Sequence, residues 1–507
     1  MLTRRIPLLL ISLLLLASVS AGITSHATIP IVGAGASNEP QSKRESALEE
    51  RIKRVENGLL PPFVIKGQPS TQMKLADRMK FYTTPGISIA VIDHGHIEWA
   101  RGYGVRETGG GEAVTPETLF QAASISKPVA AVGALRLVQQ GKLDLDEDVN
   151  QKMGSWKVPE NEFTSEKKVT LRGLLSHSAG LTVHGFAGYA SDVPVPTLVQ
   201  VLDGIKPANS KPIRVDVPPG TKNRYAGGGY VVLQKLLLNV TGKQFPRFMS
   251  ATVLKRIGMS RSTYEQPLPK KRWPHAAVGY RSNGEKVKGN WHTYPEMAAA
   301  GLWTTPTDLA RFAVEIQRSL SGKSNRVLSR EMTIKMLTPQ VGGSGLGFGL
   351  PGKGASARFS HGGANEGYRC VLVAYKDTGQ GAVVMTNSDR GSSLADEVLR
   401  SIAREYGWVD YLSKEKVLAQ VDPKVYGSYA GQYELAPNFI LTITAEEGKL
   451  MAQATGQPKL ELFPESETQF FPITTAVEIT FVKDEKGQVT HLILRQGGQD
   501  IRAKKIN

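Results

Sequence analysis

Residues 121–131 read QAASISKPVAA, two serines, a lysine and a proline set just ahead of an apolar, alanine-rich run. That run, VAAVGALRLVQQ at 129–140, has helical composition and stops at Gly141, a residue suited to a helix C-terminus. Proline is tolerated only in or near the first turn of a helix, so Pro128 places Ser124 at the helix mouth. Ser124 and Lys127 are three apart and share one face, which lets the amine reach the hydroxyl. Proton abstraction from a serine nucleophile needs that reach. The N–H groups of a helix start can also receive a developing oxyanion. A plainer role stays open, because Ser124 or Ser126 could simply cap the helix. The same spacing recurs at Ser165 to Lys168 and Ser413 to Lys416, both in charged segments, so the surroundings have to decide.

The chain has 507 residues, 40% hydrophobic and 21% charged, enough for two or three domains with their own cores. It begins MLTRRIPLLLISLLLLASVSAG, where Arg4 and Arg5 precede a leucine run and then small residues. This is the pattern of a cleaved leader ending at Ala21, and it points to a periplasmic or secreted protein. The rival is a retained anchor, but the apolar run falls short of the ~20 residues a spanning helix needs, so no stable membrane span is expected after removal. Cys370 is the single cysteine, so no intramolecular disulfide can form and stability rests on the cores. The net charge of +16 falls by two without Arg4 and Arg5, and suits acidic cell-surface polymers or anionic head groups. No basic block interleaves with aromatics and no nucleic-acid module is present, which argues against nucleic acid as a partner.

Along the chain, residues 22–45 read as a tether. Ser46-Ala47-Leu48-Glu49 matches a capping box, with Leu48, Ile52 and Val55 at helical spacing and Gly58 as the stop. A second helix is expected near 70–82. GISIAVIDHGHIEWARGYG from Gly86 reads as a hairpin turning at Asp93-His94-Gly95-His96. Helices are expected in VTLRGLLSHSAG, GYVVLQKLLLNVTG and TPTDLARFAVEIQRSL, the last capped by Thr305 with Pro306 at its first position. Strands are expected in ARFSHGG, YRCVLVAYKD and GAVVMTNS. Strands, then helices, then strands predict an antiparallel sheet whose sequence-distant ends meet beside a helical region. From about Val425, short β-type runs such as FILTITA and VEITFV predict a separate barrel or sandwich. The resulting partition is 1–21 leader, 22–69 tether and amphipathic helix, 70–411 catalytic domain and 412–507 β-barrel.

Together TPGISIAVI, TLFQAASISK, LLSHSAGL, PPGTKNRYAGGGY, AAAGLWTTPTDLARF and FSHGGANEGY, in this order across roughly 80–400, resemble the serine β-lactamase and penicillin-binding-protein superfamily. The likeness is to its class C β-lactamase, D-stereospecific peptidase and esterase branch, and the C-terminal part resembles the lipocalin-like barrel of some members. The resemblance implies an α/β (α+β) fold: an antiparallel sheet flanked by helices, an all-helical region, and a second, all-β domain. It implies Ser124 as the acylated nucleophile, Lys127 as the group that takes or relays its proton, and Tyr225 as a partner in base and leaving-group work. His361-Gly362-Gly363 matches the third motif, and the backbone N–H groups of Ser124 and Ala364 would form the oxyanion hole. Where the family usually has Tyr-x-Asn, this chain has Tyr225-Ala226-Gly227, which removes a side-chain amide expected to hold a substrate amide.

An ammonium cannot act as a base unless its pKa falls from ~10.4. Either Lys127 is desolvated and neutral, or Tyr225 carries the anion with Lys127 and His361 beside it. Histidine in the third motif predicts that His361 titrates near neutrality. Tyr225 could instead be a sheet-edge aromatic, with Gly227-Gly228-Gly229 as turn material. His177 reads as a helix-end residue and Cys370 as a small core residue. The chain has no HExxH and no cysteine cluster, so neither a metal nor an organic cofactor is expected. The function expected is acyl transfer to water on esters, D-amino-acid amides, cell-wall peptides or β-lactams. The alternative is a catalytically silent scaffold that binds such peptides or an apolar ligand.

Overall fold

The structure is a computed structural model describing residues 41–69, 72–496 and 499–506. The expected leader and most of the expected tether lie outside the described residues. Up to Glu49 the described chain is the first part of a helix, α1 (Gln41–Glu56), and the main body runs from Glu50 on. The helix starts before the expected Ser46 cap, because Gln41, Lys43, Arg44 and Glu45 are good helix formers. After it come β1 (Phe63–Ile65), α2 (Leu75–Phe81), β2 (Gly86–Asp93), β3 (His96–Gly104) and β4 (Phe120–Gln121). The helical region holds α3 (Ser126–Gln139), α4 (Leu171–Leu175), α5 (Leu198–Asp203), α6 (Gly227–Thr241), α7 (Phe245–Met249), α8 (Lys255–Ile257) and α9 (Met297–Ala300). Then follow β5 (Trp303–Thr304), α10 (Pro306–Leu320), α11 (Arg330–Met336), β6 (Arg358–Asn365), β7 (Tyr368–Tyr375), β8 (Gly381–Thr386) and α12 (Gly391–Glu405).

The five-stranded sheet has the order β3-β2-β8-β7-β6, antiparallel throughout, so β2 from the start of the body lies against β8 from its end. Its two faces can be told apart by the pleat. Cys370, Leu372, Val383, Met385, Ala90 and Ile92 belong to the large core shared with α3, α6 and α10. On the opposite face stand Arg369 and Thr386, a cross-strand pair. A Cβ on Gly391 would come 1.8 Å from Thr386 Oγ1, so α12 starts directly on that face. The hairpin turn adopts positive φ at His94 and Gly95, 48° and 73°, the geometry that matches strand twist in a two-residue turn.

Helix α10 begins as its sequence predicts: the Thr305 side chain accepts from the Asp308 N–H, with Pro306 next. Its Leu309, Phe312, Ala313 and Ile316 are buried at i, i+3, i+4 and i+7. The helix expected in VTLRGLLSHSAG is only the five residues of α4. It stops because His177 has φ 60°, which ends helical geometry. The run Gly227-Gly228-Gly229 opens α6 rather than forming a turn.

Arg78 on α2 makes a two-pronged pair with Glu397 on α12, at 2.8 and 2.6 Å, and Tyr82 donates to the same carboxylate at 2.7 Å. Glu397 is 1% exposed. Glu397→Ala would leave a guanidinium buried without its counter-ion and is expected to cost about 3–5 kcal/mol, read as a lowered denaturation midpoint.

The chain ends in β9 (Lys414–Lys416), α13 (Tyr426–Tyr429) and eight strands: β10 (Gly431–Ala436), β11 (Phe439–Glu446), β12 (Lys449–Ala454), β13 (Leu460–Pro464), β14 (Gln469–Phe471), β15 (Val477–Lys483), β16 (Val489–Gln496) and β17 (Gln499–Lys505). The eight close into a barrel through β10 and β17. Alternate residues such as Leu441 and Ile443, or Val477, Ile479 and Phe481, fill its interior, and Tyr429 stacks on Phe481 at 4.4 Å. β1 pairs in parallel with β9, and Lys416 reaches Glu465 and Glu478 of the barrel, each at 2.6 Å. Among the described residues no helix is long and apolar enough to cross a membrane.

Candidate active site

Ser124 sits in a single 3-10 turn, Ala123–Ile125, that leads directly into α3. Ala123, fully buried, has φ 48°, a left-handed conformation that costs an alanine about 1–2 kcal/mol. This bend sets Ser124, half-buried, on a cleft of about 580 Å3 while its neighbours face the core. Ser126 has no part in that cleft. Its hydroxyl accepts from the Leu302 N–H at 2.9 Å and its carbonyl from the Tyr264 hydroxyl at 2.7 Å. Of the two serines, one therefore anchors the helix and the other faces the cleft.

Lys127 Nζ lies 3.0 Å from Ser124 Oγ and donates to the Ala299 carbonyl at 2.8 Å. The side chain is 2% exposed and its amine stands 5.0 Å from the Tyr225 ring centre. Burial lowers the Lys127 pKa to about 7. Tyr225 comes from the turn before α6, and its hydroxyl bonds to Ser124. Burial pushes its pKa up to about 12 against that bond. Tyr225 is thus a cleft residue, not a sheet-edge aromatic.

His361 stands on β6 with its ring 6.2 Å from that of Tyr225 and its Nδ1 2.6 Å from the Gly362 carbonyl. Burial, with the Lys127 charge second, lowers its pKa to about 4. That lies below the near-neutral range expected for it, because the cleft walls partly desolvate a ring that still keeps some exposure. The near-neutral group is Lys127.

Gly363 is where β6 meets the serine turn. A Cβ there would lie 2.3 Å from the Ala122 carbonyl oxygen and 2.5 Å from Cys370 Sγ. Ser360 exchanges both backbone hydrogen bonds with Gly349 on the outer edge of β6. Alternation along an edge strand then turns the Ala364 N–H outward as well, toward the cleft it lines with Ser124. Asn365 fastens the end of β6 to Gln121 at 2.8 Å and to the Ala300 carbonyl at 3.1 Å. Cys370, 6% exposed, points its sulfur 3.2 Å from the Ala122 carbonyl oxygen and edges the cleft.

Gly227 is the first residue of α6, and a Cβ on it would approach the His184 carbonyl oxygen and the Phe186 ring, each at 3.0 Å. The room an asparagine side chain would take is filled by that segment, which leaves an aromatic wall in place of an amide. Phe186, His184 and His177 escaped the sequence reading as site residues. His177 follows α4, its ring 4.3 Å from that of Tyr225, and its Nδ1 accepts from the Ala226 N–H at 3.2 Å. Burial holds it well below the usual histidine range, so the ring is neutral and keeps the lone pair that bond needs. Among the described residues no group of histidine, cysteine and acidic side chains could hold a metal ion.

A β-lactamase family model matches residues 72–405. The chain belongs to the β-lactamase family. A second model, of a domain of unknown function (DUF3471), matches 415–505, the barrel segment of this β-lactamase-family protein. Penicillin-binding protein 4* of Bacillus subtilis is 23% identical over 435 residues, 82% of this chain and 93% of that protein. A teichoic acid D-alanine hydrolase of Staphylococcus aureus is 23% identical over 231 residues, 46% of this chain and 54% of that one. Among solved structures, the octameric penicillin-binding protein homologue from Pyrococcus abyssi has the same fold, with a TM-score of 0.57 at 22% identity, covering 85% of this chain and 98% of its own.

Proposed function

We propose that this chain is an exported serine hydrolase that forms an acyl-enzyme on Ser124 and takes small esters and D-amino-acid amides in preference to β-lactams. The observation that carries the reading is a buried amine of pKa about 7 placed 3.0 Å from a cleft-facing hydroxyl. With one N–H held by the Ala299 carbonyl, neutral Lys127 turns its lone pair to Ser124. It takes the hydroxyl proton as Oγ bonds to the substrate carbonyl carbon, and the carbonyl oxygen gathers charge beside the Ser124 and Ala364 N–H groups. Collapse expels the leaving group, which receives that proton through the Tyr225 hydroxyl. A phenol of pKa about 12 is a donor at neutral pH, which favours Lys127 over Tyr225 as the base. Water then attacks the ester on Ser124 with the same groups, releasing the acid and restoring the serine.

The aromatic wall at Gly227 supports the preference against β-lactams, whose side-chain amide would find no side-chain amide there. The relatives named for penicillin binding and teichoic acid D-alanine hydrolysis support hydrolysis at the cell surface, with cell-wall peptides as further candidates. The leader-like start of the sequence supports export.

Labelling with a fluorophosphonate should give one adduct in the native protein and none in Ser124→Ala. Equal labelling of the two would sink the reading, and no labelling in either would favour a silent binding scaffold. Nitrophenyl esters, D-amino-acid amides and a chromogenic cephalosporin should rank in that order of turnover. Below about pH 7 the base is protonated, so kcat/KM should rise about tenfold per unit and level off above it. His361→Ala should keep that limb, whereas a profile flat from pH 5 to 8 would remove Lys127 as the base.

A further inference from the structure

The cleft does not end at the catalytic groups but continues over the edge of the sheet. Gly363 and Cys370 turn toward Ala122. The next pairs along the strands, Gly362 with Val371 and Ala364 with Arg369, therefore face the other way, onto the side that carries α12. A Cβ on Gly362 would meet only the Cys370 carbonyl, at 3.9 Å, so β6 leaves open space there. Ser124, Gly362, Val371, Ala395 and Asp396 consequently line one cleft.

Asp396 supplies the only acidic side chain in that lining, and Lys127 the only lysine or arginine. Among the described residues, the Asp396 carboxylate receives no hydrogen bond and no ion pair. Its neighbours on α12 are engaged elsewhere: Glu397 with Arg78 and Tyr82, and Arg400 with the Leu60 carbonyl at 2.8 Å through Nε. Asp396 lies at the exposed end of this lining, where partial desolvation raises the carboxyl pKa from its ordinary value and Arg400 acts against that. Since Lys127 is largely neutral above pH 7, the fixed charge that a substrate meets in the cleft is negative, although the chain as a whole carries +16.

We propose that Asp396 sets the charge preference of the cleft, so that the substrate is an ester or amide carrying an ammonium group on the part lying across β6, while carboxylate-bearing substrates are disfavoured. This rests on the acyl-enzyme reading of Ser124. A carboxylate at the rim of a concave site, with low-dielectric walls on one side, interacts with a charge at contact distance more strongly than one in free solution.

The test compares p-nitrophenyl hexanoate with its 6-(trimethylammonio)hexanoate and hydrogen adipate counterparts, each rate taken relative to the neutral ester in the same variant. The native protein should favour the cation over the anion in kcat/KM by about tenfold or more. Asp396→Asn should bring the ratio near one and Asp396→Lys should invert it. A native ratio near one, or one unchanged by both substitutions, overturns the proposal. Binding of 6-(trimethylammonio)hexanamide to Ser124→Ala, against plain hexanamide, reads the same preference without turnover. It should be tighter for the cation and lose that margin when Asp396→Asn is added; equal affinities overturn the proposal. Failure of the neutral ester to turn over, or turnover that survives Ser124→Ala, would instead count against the acyl-enzyme reading, and the binding comparison still decides on Asp396.

Discussion

Ser124→Ala is expected to lower kcat/KM for a nitrophenyl ester by about 10⁴-fold or more, and Lys127→Met by a similar factor. The two should not multiply, because a nucleophile without its base and a base without its nucleophile leave the same residual catalysis. Lys127→Met keeps the length and buried volume of the stem, and it removes an amine whose pKa burial has already lowered to about 7. Its loss of activity should therefore come without a loss of thermal stability. Steady-state kinetics beside a melting curve separates the two effects, and a Lys127→Met protein within tenfold of native activity would refute the assignment.

Gly363→Ala should cost about 10²–10³ in kcat with little change in KM. The added Cβ would meet the Ala122 carbonyl oxygen at 2.3 Å, and backbone next to the nucleophile cannot yield as a flexible side chain would. β6 must draw back, and the Ala364 N–H goes with it, away from where the oxyanion develops. Gly362→Ala, with nothing nearer than 3.9 Å, should cost much less. Equal losses in the two would show that strand position does not control the step.

What could be read from the chain alone is local. The Thr305 cap with Pro306 next, the turn at His94-Gly95 and the alternation in the barrel strands each depend on a few neighbouring residues, and each stands in the structure. So does the Ser124 to Lys127 contact, since three residues of helix suffice to make it. Tyr225 was legible only through family resemblance, because its place beside Ser124 depends on packing among distant segments. Phe186 and Asp396 carried no motif, and His177, though within LLSHSAGL, read as a helix end; folding alone brings His177 beside Tyr225 and sets Phe186 and Asp396 in the cleft lining. The pKa values were hidden for a related reason. Residue type gives the ordinary value, and enclosure moved His361 down to about 4 and Lys127 to about 7.

The pairing of β2 with β8 also bears on how the protein is made. GISIAVID is buried along its whole length, yet its partner on one side is almost the last strand of the catalytic region to leave the ribosome. Until β8 arrives, the nascent hairpin presents a bare, apolar edge capable of recruiting the wrong chain. Such distant pairing slows folding, so the early hairpin stays exposed to mispairing until the whole sheet is available.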